Sequence, residues 1–168
     1  MPRVKKLNGV NYIDHELASS VLTEEAVSFL AELVQRFGSE LMDLLSSRRD
    51  RQTGSKRNVG YLPDSLEIRE GHWRVAPTPP ELIDRRVEIT GPPDRKMIIN
   101  ALNSGAKVYM ADFEDSLSPT WKALLEGQLN LVDALSGHIT YEHPTKGTYE
   151  LNNDPAVLFV RPRGLHLR

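Results

Sequence analysis

The stretch that decides the fold is residues 86–113, RVEITGPPDRKMIINALNSGAKVYMADF. It opens on a short β-branched run, Val87–Thr90, and the Gly-Pro-Pro-Asp sequence after it predicts a turn. Four apolar residues then recur at helical spacing and predict an amphipathic helix that ends at Gly105. They are Met97, Ile98, Ala101 and Leu102. Residues 107–113 are mostly apolar, as in a strand buried on both faces. Strand, helix and strand in this order predict two parallel strands with a right-handed crossover.

The sequence after residue 113 continues this alternation. Ser118 is the expected cap of a second helix, with Pro119 at its first position. The segments 138–141 and 148–151 predict a β-hairpin, and residues 156–160 predict another buried strand. The second half is therefore expected to hold three parallel strands. Three strands do not close an eightfold barrel, which needs about 250 residues.

The first half has a different pattern. Residues 1–22 are polar and mixed, and predict a loose arm. Thr23 is a candidate helix N-cap, and the apolar spacing after it predicts a helix that stops at Gly38. Ser39 then caps a second helix, which gives a helical hairpin. The Pro- and Gly-rich segment 52–86 predicts a long surface connection.

These patterns divide the chain into a helical part with its connecting loop, residues 1–85, and an α/β part, residues 86–168. The basic run between Arg48 and Arg57 could hold a phosphate, but a solvated helix end is favoured because cations suit a helix C-terminus.

Composition excludes several function classes. The formal net charge is -2 and there is no basic excess, so no nucleic-acid partner is expected. No apolar stretch approaches membrane-spanning length, and no signal peptide or C-terminal targeting tripeptide is recognised. The absence of cysteine excludes disulfides and thiolate sites and fits a reducing compartment. The five histidines have no metal-ligand spacing, so no metal site is expected within this chain.

Acidic residues cluster where the second strand of the sheet ends. Asp112, Glu114 and Asp115, followed by Ser116, form a loop in which the carboxylates repel unless they meet a cation or water. One interpretation is a pocket wall that orients an arginine or contacts substrate. The other is a solvated loop with a helix-capping acid. The buried strand before the loop favours the pocket.

Arginines follow the last strand. Arg161 comes directly after an apolar run, and Arg163 follows two residues later. A permanently charged guanidinium at that point needs carboxylates or an anionic ligand. Glu114 is a natural partner if the two strands are neighbours. A structural salt bridge that closes the strand end is the alternative interpretation.

Several ordered motifs together resemble the malate synthase family, of the A type. They are RRVEITGP at 85–92, DRKMIINALN at 94–103, MADFEDS at 110–116, RPRGLHL at 161–167, and Pro119, Trp121, Gly127-Gln128, Asn130-Leu131 and Asp133-Ala134 between them. The resemblance covers residues 81–168 and extends more weakly over 20–80, where the helical hairpin is similar to the family's N-terminal clasp. It implies an α/β fold: a helical clasp followed by the first strands and helices of a TIM (β/α)8 barrel.

The resemblance also implies an activity. Malate synthases are acyltransferases of the glyoxylate cycle that condense acetyl-CoA with glyoxylate and hydrolyse the thioester to malate and CoA. The family's catalytic arginine falls on Arg161, which would stabilise the enolate oxygen and hold the aldehyde. Glu114 would orient Arg161, and Asp115 and Ser116 would lie near the mouth where acetyl-CoA enters. Asp112 and Arg163 are expected as supporting residues.

Other parts of the family's machinery are expected beyond residue 168. They include the catalytic aspartate and the acid pair that binds Mg²⁺, so the chain is expected to be inactive without the remainder of the barrel. A cytoplasmic location is expected, or a peroxisomal or glyoxysomal one in a eukaryote. The alternatives are a non-catalytic binding or assembly module derived from this fold, and an unrelated aldolase-like lyase.

Overall fold

The computed structural model describes residues 3–7, 9–53 and 60–167, and for Gln52 and Thr53 only the backbone. The amino-terminal arm is more ordered than its composition predicts. Strands β1 (Val4–Leu7) and β2 (Val10–Ile13) pair antiparallel around Gly9, whose φ of 81° suits a tight turn. A short helix, α1 (Ala18–Val21), follows, and Ala18 is buried. The expectation of a loose lead-in is therefore wrong for the described part of the arm.

The predicted helical hairpin is also wrong, because α2 is one continuous helix, Glu24–Thr53. Thr23 caps it as expected, since its hydroxyl accepts a hydrogen bond from the Ala26 backbone N–H. The residues least exposed to solvent keep helical spacing across Gly38. They are Ala26, Val27, Ala31, Gly38, Leu41 and Leu45. A single glycine costs a helix only about 1 kcal/mol, so it does not break a stripe that keeps its phase.

An exposed connection joins the two parts of the chain. It contains the short helix α3 (Leu66–Glu70) and 3₁₀ turns at Pro63–Ser65 and Pro80–Leu82. Prolines at the start of both turns supply the required φ. The described part of the segment 52–86 is thus the surface connection that its Pro and Gly content predicts. The basic residues at 56 and 57 lie outside the described residues, and the domain boundary near residue 86 stays a prediction.

The α/β part is built on three parallel strands in the order β3 (Glu88–Gly91), β4 (Val108–Asp112) and β7 (Val157–Arg161). Helix α4 (Arg95–Leu102) connects β3 to β4. Helix α5 (Trp121–Leu135) and the antiparallel hairpin β5 (Tyr141–His143) and β6 (Gly147–Tyr149) connect β4 to β7. This is the predicted order of elements, and the strands are parallel as expected.

The second helix of this part begins later than predicted. Its cap is Thr120, whose hydroxyl accepts from the Ala123 backbone N–H, so Ser118 and Pro119 precede the helix. Ser118 instead accepts the Thr120 backbone N–H through its carbonyl. The threonine hydroxyl reaches the first free N–H groups, which is what a capping residue must do.

The core lies between the helices and one face of β4. Tyr109, Ala111 and Phe113 alternate toward the helices and pack with the apolar side of α4 and α5. The side chain of Asp112 projects to the other face, because successive residues of a strand point in opposite directions. Strand β4 is central and buried on both faces, as its apolar sequence predicts.

Candidate functional site

The polar ends of two neighbouring parallel strands meet at one edge of the sheet. Asp112 ends β4, Arg161 ends β7, and the two residues are register partners. Because parallel strands share their carboxyl edge, the loops that follow them are brought together there. In parallel α/β folds this is the edge at which ligands bind.

The guanidinium of Arg161 lies among three carboxylates. Its Nε donates to Glu114 Oε2 at 2.8 Å, and its Nη2 is 2.7 Å from Asp115 Oδ2. Its Nη1 is 3.5 Å from Asp112 Oδ2. The structure therefore brings Arg161 next to Glu114, as expected if the strands are neighbours. The Arg161 side chain is still 41% exposed, so part of it faces the space beyond the strand ends.

The acidic loop is held by its own first residue. Asp112 is 1% exposed, and its Oδ1 accepts the backbone N–H groups of Glu114 at 2.9 Å and Asp115 at 3.1 Å. Its Oδ2 accepts the Ser116 hydroxyl at 3.1 Å. An aspartate that binds the backbone two and three residues ahead forms a tight turn. Asp112 and Ser116 thus shape the turn that presents Glu114 and Asp115 to the guanidinium.

Charge and hydrogen bonding shift the pKa values of this cluster. Burial alone would raise the pKa of Asp112, but hydrogen bonds from the Asp115 and Glu114 backbone and from Ser116, with the Arg161 charge, hold it below its ordinary value. For Arg161, burial works against the charge, and the carboxylates of Asp115, Glu114 and Asp112 outweigh it, so its pKa is raised. These shifts favour the ionised forms of Asp112 and Arg161.

Arg163 lies on a different surface from this cluster. Its side chain lines an apolar cavity of about 450 Å³ between α2 and α5, together with Phe29, Trp121 and Val160. It makes no ion pair with any described residue. Of the predicted site residues, the structure therefore groups Asp112, Glu114, Asp115, Ser116 and Arg161, and places Arg163 apart from them.

Two residues beside the cluster were not predicted as site residues, although the sequence places both directly after the strand-end arginines. His166 Nε2 lies 4.0 Å from Glu114 Oε1, and Gly164 lies beneath the imidazole ring. A Cβ atom on Gly164 would be 2.5 Å from His166 Cε1 and 3.1 Å from Glu114 Oε1. The available signal was a glycine and a histidine that follow the strand-end arginines within a few residues.

Neither a metal cluster nor a membrane span is found in the part of the chain that the structure describes. No three histidine or acidic side chains within residues 3–7, 9–53 and 60–167 converge in a way that could hold a metal ion. No helix among those residues is long and apolar enough to cross a membrane.

Comparison with known sequences shows which proteins this chain is similar to. Residues 14–70 match the family model of the malate synthase N-terminal domain. A malate synthase from Myxococcus xanthus (strain DK1622) is 52% identical over 155 residues, which cover 91% of this chain and 29% of the relative. The glyoxysomal malate synthase from Gossypium hirsutum is 48% identical over 178 residues, which cover 99% of this chain and 31% of the relative. The chain belongs to the malate synthase family.

The similarity to malate synthases spans both the helical part and the sheet. The malate synthase from Arabidopsis thaliana is 50% identical over 155 residues, covering 90% of this chain and 28% of the relative. The chain therefore spans less than a third of the length of these malate synthases. Arg161, at the centre of the cluster, is the last residue of β7.

Proposed function

We propose that this chain forms the amino-terminal part of a working malate synthase, which condenses acetyl-CoA with glyoxylate and releases malate and CoA. The observation that carries the proposal is the guanidinium of Arg161, held by Glu114 and Asp115 at the carboxyl edge of a parallel sheet. Family membership supports it, because the relatives are named malate synthases. On this proposal Arg161 is the catalytic residue that the chain contributes.

The proposed task of Arg161 is electrostatic. In the condensation, a base takes a proton from the acetyl methyl group, and the carbanion forms a bond to the aldehyde carbon of glyoxylate. Water then breaks the thioester and gives malate and CoA. Negative charge gathers on the thioester oxygen in the first step. A fixed guanidinium stabilises that oxygen because its donors need no reorganisation during the reaction.

The carboxylates around Arg161 serve that task by fixing its direction. A guanidinium carries five N–H donors in a rigid planar fork. Glu114 holds Nε and Asp115 holds Nη2, while Asp112 lies farther away, 3.5 Å from Nη1. The donors that remain can point to the partly open side of the cluster, where an anionic oxygen of the substrate would lie.

The residues described here do not fit a bound Mg²⁺. The oxygens of Asp112 accept backbone N–H groups and a hydroxyl, and one oxygen each of Glu114 and Asp115 is bound to Arg161. Magnesium prefers six oxygens in octahedral order, and no such set is formed by the described side chains. Ligands for Mg²⁺, like the catalytic base, are proposed to come from sequence that follows this segment in full-length relatives.

The same proposal extends to fold and location. The three parallel strands would be the first of a TIM barrel, with residues 1–85 as the clasp and residues 86–168 as the start of the catalytic domain. Apolar side chains support it, because Val132, Leu135 and Val160 are 61%, 75% and 48% exposed and need a cover. We propose a cytoplasmic location, or a peroxisomal or glyoxysomal one in a eukaryote.

A non-catalytic assembly module is the second candidate. The same exposed apolar residues favour it, as does β7, whose outer edge is unpaired within the described residues. The two candidates differ in whether Arg161 affects turnover once the missing sequence is supplied. A binding module needs the surface and does not need the guanidinium.

A chimeric enzyme tests the proposal. The chain is joined to the residues that follow the matched segment in the Myxococcus xanthus malate synthase, and CoA release is measured with acetyl-CoA, glyoxylate and Mg²⁺. We expect turnover by the chimera and no turnover by the 168-residue chain alone. The Arg161→Gln variant of the chimera is expected to lose turnover. The relative's own segment in the same chimera is the control. A folded chimera without turnover, beside an active control, contradicts the proposal.

A further inference from the structure

The carboxylate of Glu114 has a different neighbour at each oxygen. Its Oε2 accepts the Nε–H of Arg161 at 2.8 Å, while its Oε1 faces His166 Nε2 at 4.0 Å. The Glu114 side chain is only 15% exposed, so water has little access to either oxygen. At 4.0 Å the contact between Nε2 and Oε1 is longer than a hydrogen bond.

The backbone at Gly164 makes this contact possible. A Cβ atom there would be 2.5 Å from His166 Cε1, 2.6 Å from His166 Nδ1 and 3.1 Å from Glu114 Oε1. Both side chains therefore occupy the space that a larger residue at 164 would fill. The imidazole lies against the glycine and faces the Glu114 oxygen that does not accept the Nε–H of Arg161.

Charged groups of α2 also lie near His166. Arg48 and Arg49 line a cavity of about 400 Å³ together with His166 and the apolar residues Met42, Leu45, Leu165 and Leu167. A guanidinium has no acceptor to offer the ring N–H of His166, whereas the carboxylate of Glu114 has. The carboxylate of Glu114 lies 4.0 Å from His166 Nε2.

We propose that His166 is a positioning residue, which holds Oε1 of Glu114 over Gly164 and so fixes the direction of the Arg161 guanidinium. This inference rests on the proposed role of Arg161 and deepens it. The last torsion of a glutamate side chain is broad, so a carboxylate bound at one oxygen can rotate. A second contact at the other oxygen restricts that rotation, and the rigid fork of Arg161 follows the carboxylate.

The experiment measures how firmly Arg161 is held in the whole 168-residue chain. Exchange of its Nε–H proton with water is followed by NMR, and the signal is assigned by its loss in Arg161→Lys. His166→Phe keeps a ring and removes the donor, whereas His166→Gln restores a donor of similar reach. His138→Ala, an exposed histidine after α5, is the matched control.

Faster exchange in His166→Phe, by about two- to fivefold as for a partly exposed ion pair, supports the proposal. Exchange at a near-native rate in His166→Gln and in His138→Ala also supports it. Gly164→Ala displaces the imidazole ring, so faster exchange is expected in that variant. If His166 only fills space, His166→Phe and His166→Gln should change the exchange rate equally, or His166→Phe should not change it. Either result overturns the proposal. Backbone amide spectra show whether each variant keeps its fold.

Glu114→Gln separates this inference from the proposed function. If Glu114→Gln speeds exchange of the Arg161 Nε–H and His166→Phe does not, the Arg161–Glu114 pair stands and the role of His166 is refuted. If neither variant changes the exchange, the held guanidinium on which the proposed function rests is absent, and both proposals fail.

Discussion

Arg161 and Asp112 are register partners on adjacent strands, yet the 3.5 Å distance between Arg161 Nη1 and Asp112 Oδ2 is longer than the contacts of Arg161 with Glu114 and Asp115. The oxygens of Asp112 are used by the turn that follows it, where they accept two backbone N–H groups and the Ser116 hydroxyl. The buried acid thus builds the turn, and the turn delivers the acids that hold the arginine. Removing Asp112 should therefore harm folding and the site together.

Asp112→Asn should lower the free energy of unfolding by about 1–3 kcal/mol, the cost of weakening buried, charge-assisted hydrogen bonds. Asparagine keeps one acceptor oxygen but loses the negative charge that attracts the N–H groups and Arg161. Ser116→Ala removes only one hydroxyl donor and should cost about 0.5–1.5 kcal/mol. Urea unfolding of the three proteins checks the order. Equal stability of wild type and Asp112→Asn would contradict the assignment of Asp112 as the residue that holds the turn.

The stability that Asp112 contributes depends on pH with a definite sign. Because the pKa of Asp112 lies below its ordinary value of 3.8, the folded state favours the ionised form. The stabilisation is complete above that value and is lost as the pH falls through and below it. Unfolding measured between pH 6 and about pH 3 should show the gap between wild type and Asp112→Asn shrinking at the acid end. A gap that grows toward low pH would refute the sign.

In the active chimera, Arg161→Lys should reduce kcat by about 10²–10³, the loss seen when one donor of an oxyanion site is removed. Lysine keeps the charge but cannot bind Glu114 and Asp115 with a planar fork. Arg86→Lys is the control, since that arginine is exposed and pairs with Asp84 away from the cluster. Steady-state kinetics with both substrates measures the effect. Similar losses in the two variants would show that the guanidinium of Arg161 has no special role.

The cluster at the strand ends was within reach of sequence reasoning. One buried apolar run is followed by the acidic loop, and another is followed by Arg161. If the two runs are parallel strands of one sheet, the loop and the arginine lie at the same edge of that sheet, however the helices pack. The approach of His166 to Glu114 was not predictable, because it depends on the space left by Gly164 after the chain turns. The position of Arg163 depends likewise on how α2 packs on α5.

The helical part shows the limits of local signals. Gly38 followed by Ser39 has the pattern of a helix end and a new cap, yet α2 continues through both. The glycine and the serine do favour a helix end locally. The inward-facing residues nevertheless keep the same helical spacing on both sides of Gly38, and the helix is therefore continuous. Ser118 was misassigned because Thr120, two residues later, offers the same kind of capping hydroxyl and is the residue that caps the helix.

Tyr109→Phe should lower the free energy of unfolding by about 1–2 kcal/mol, because the buried hydroxyl donates to the Pro92 carbonyl and the phenyl ring leaves that acceptor unpaired. Burial, with the nearby charges of Asp94 and Asp112, raises the pKa of Tyr109 above its ordinary value of 10.0. Its contribution is therefore present below pH 10 and is lost as the pH rises beyond that value. Unfolding at neutral pH and above pH 10 measures both effects. Wild type and Tyr109→Phe should converge at the alkaline end.

A pair of glycine substitutions separates helix propensity from packing. Gly38 lies inside α2, and a Cβ there would meet only Val34 Cγ1, at 3.8 Å. Gly38→Ala should therefore stabilise the chain by about 0.5–1 kcal/mol through lower backbone entropy in the unfolded state. Gly127 lies inside α5, where a Cβ would be 2.7 Å from Phe113 Cε1 and 2.9 Å from Pro93 Cγ.

The same propensity gain applies to Gly127→Ala, but the proline ring cannot move aside and the phenylalanine is buried. Overpacking of this kind costs about 1–3 kcal/mol, so a net loss is expected. Because Phe113 lies between Asp112 and Glu114, the strain should also loosen the Arg161 cluster, seen as faster exchange of the Arg161 Nε–H. Thermal unfolding of both variants shows whether each substitution stabilises or destabilises the chain. Stabilisation by both substitutions would show that α5 does not pack against Phe113 and Pro93 as closely as the structure has it.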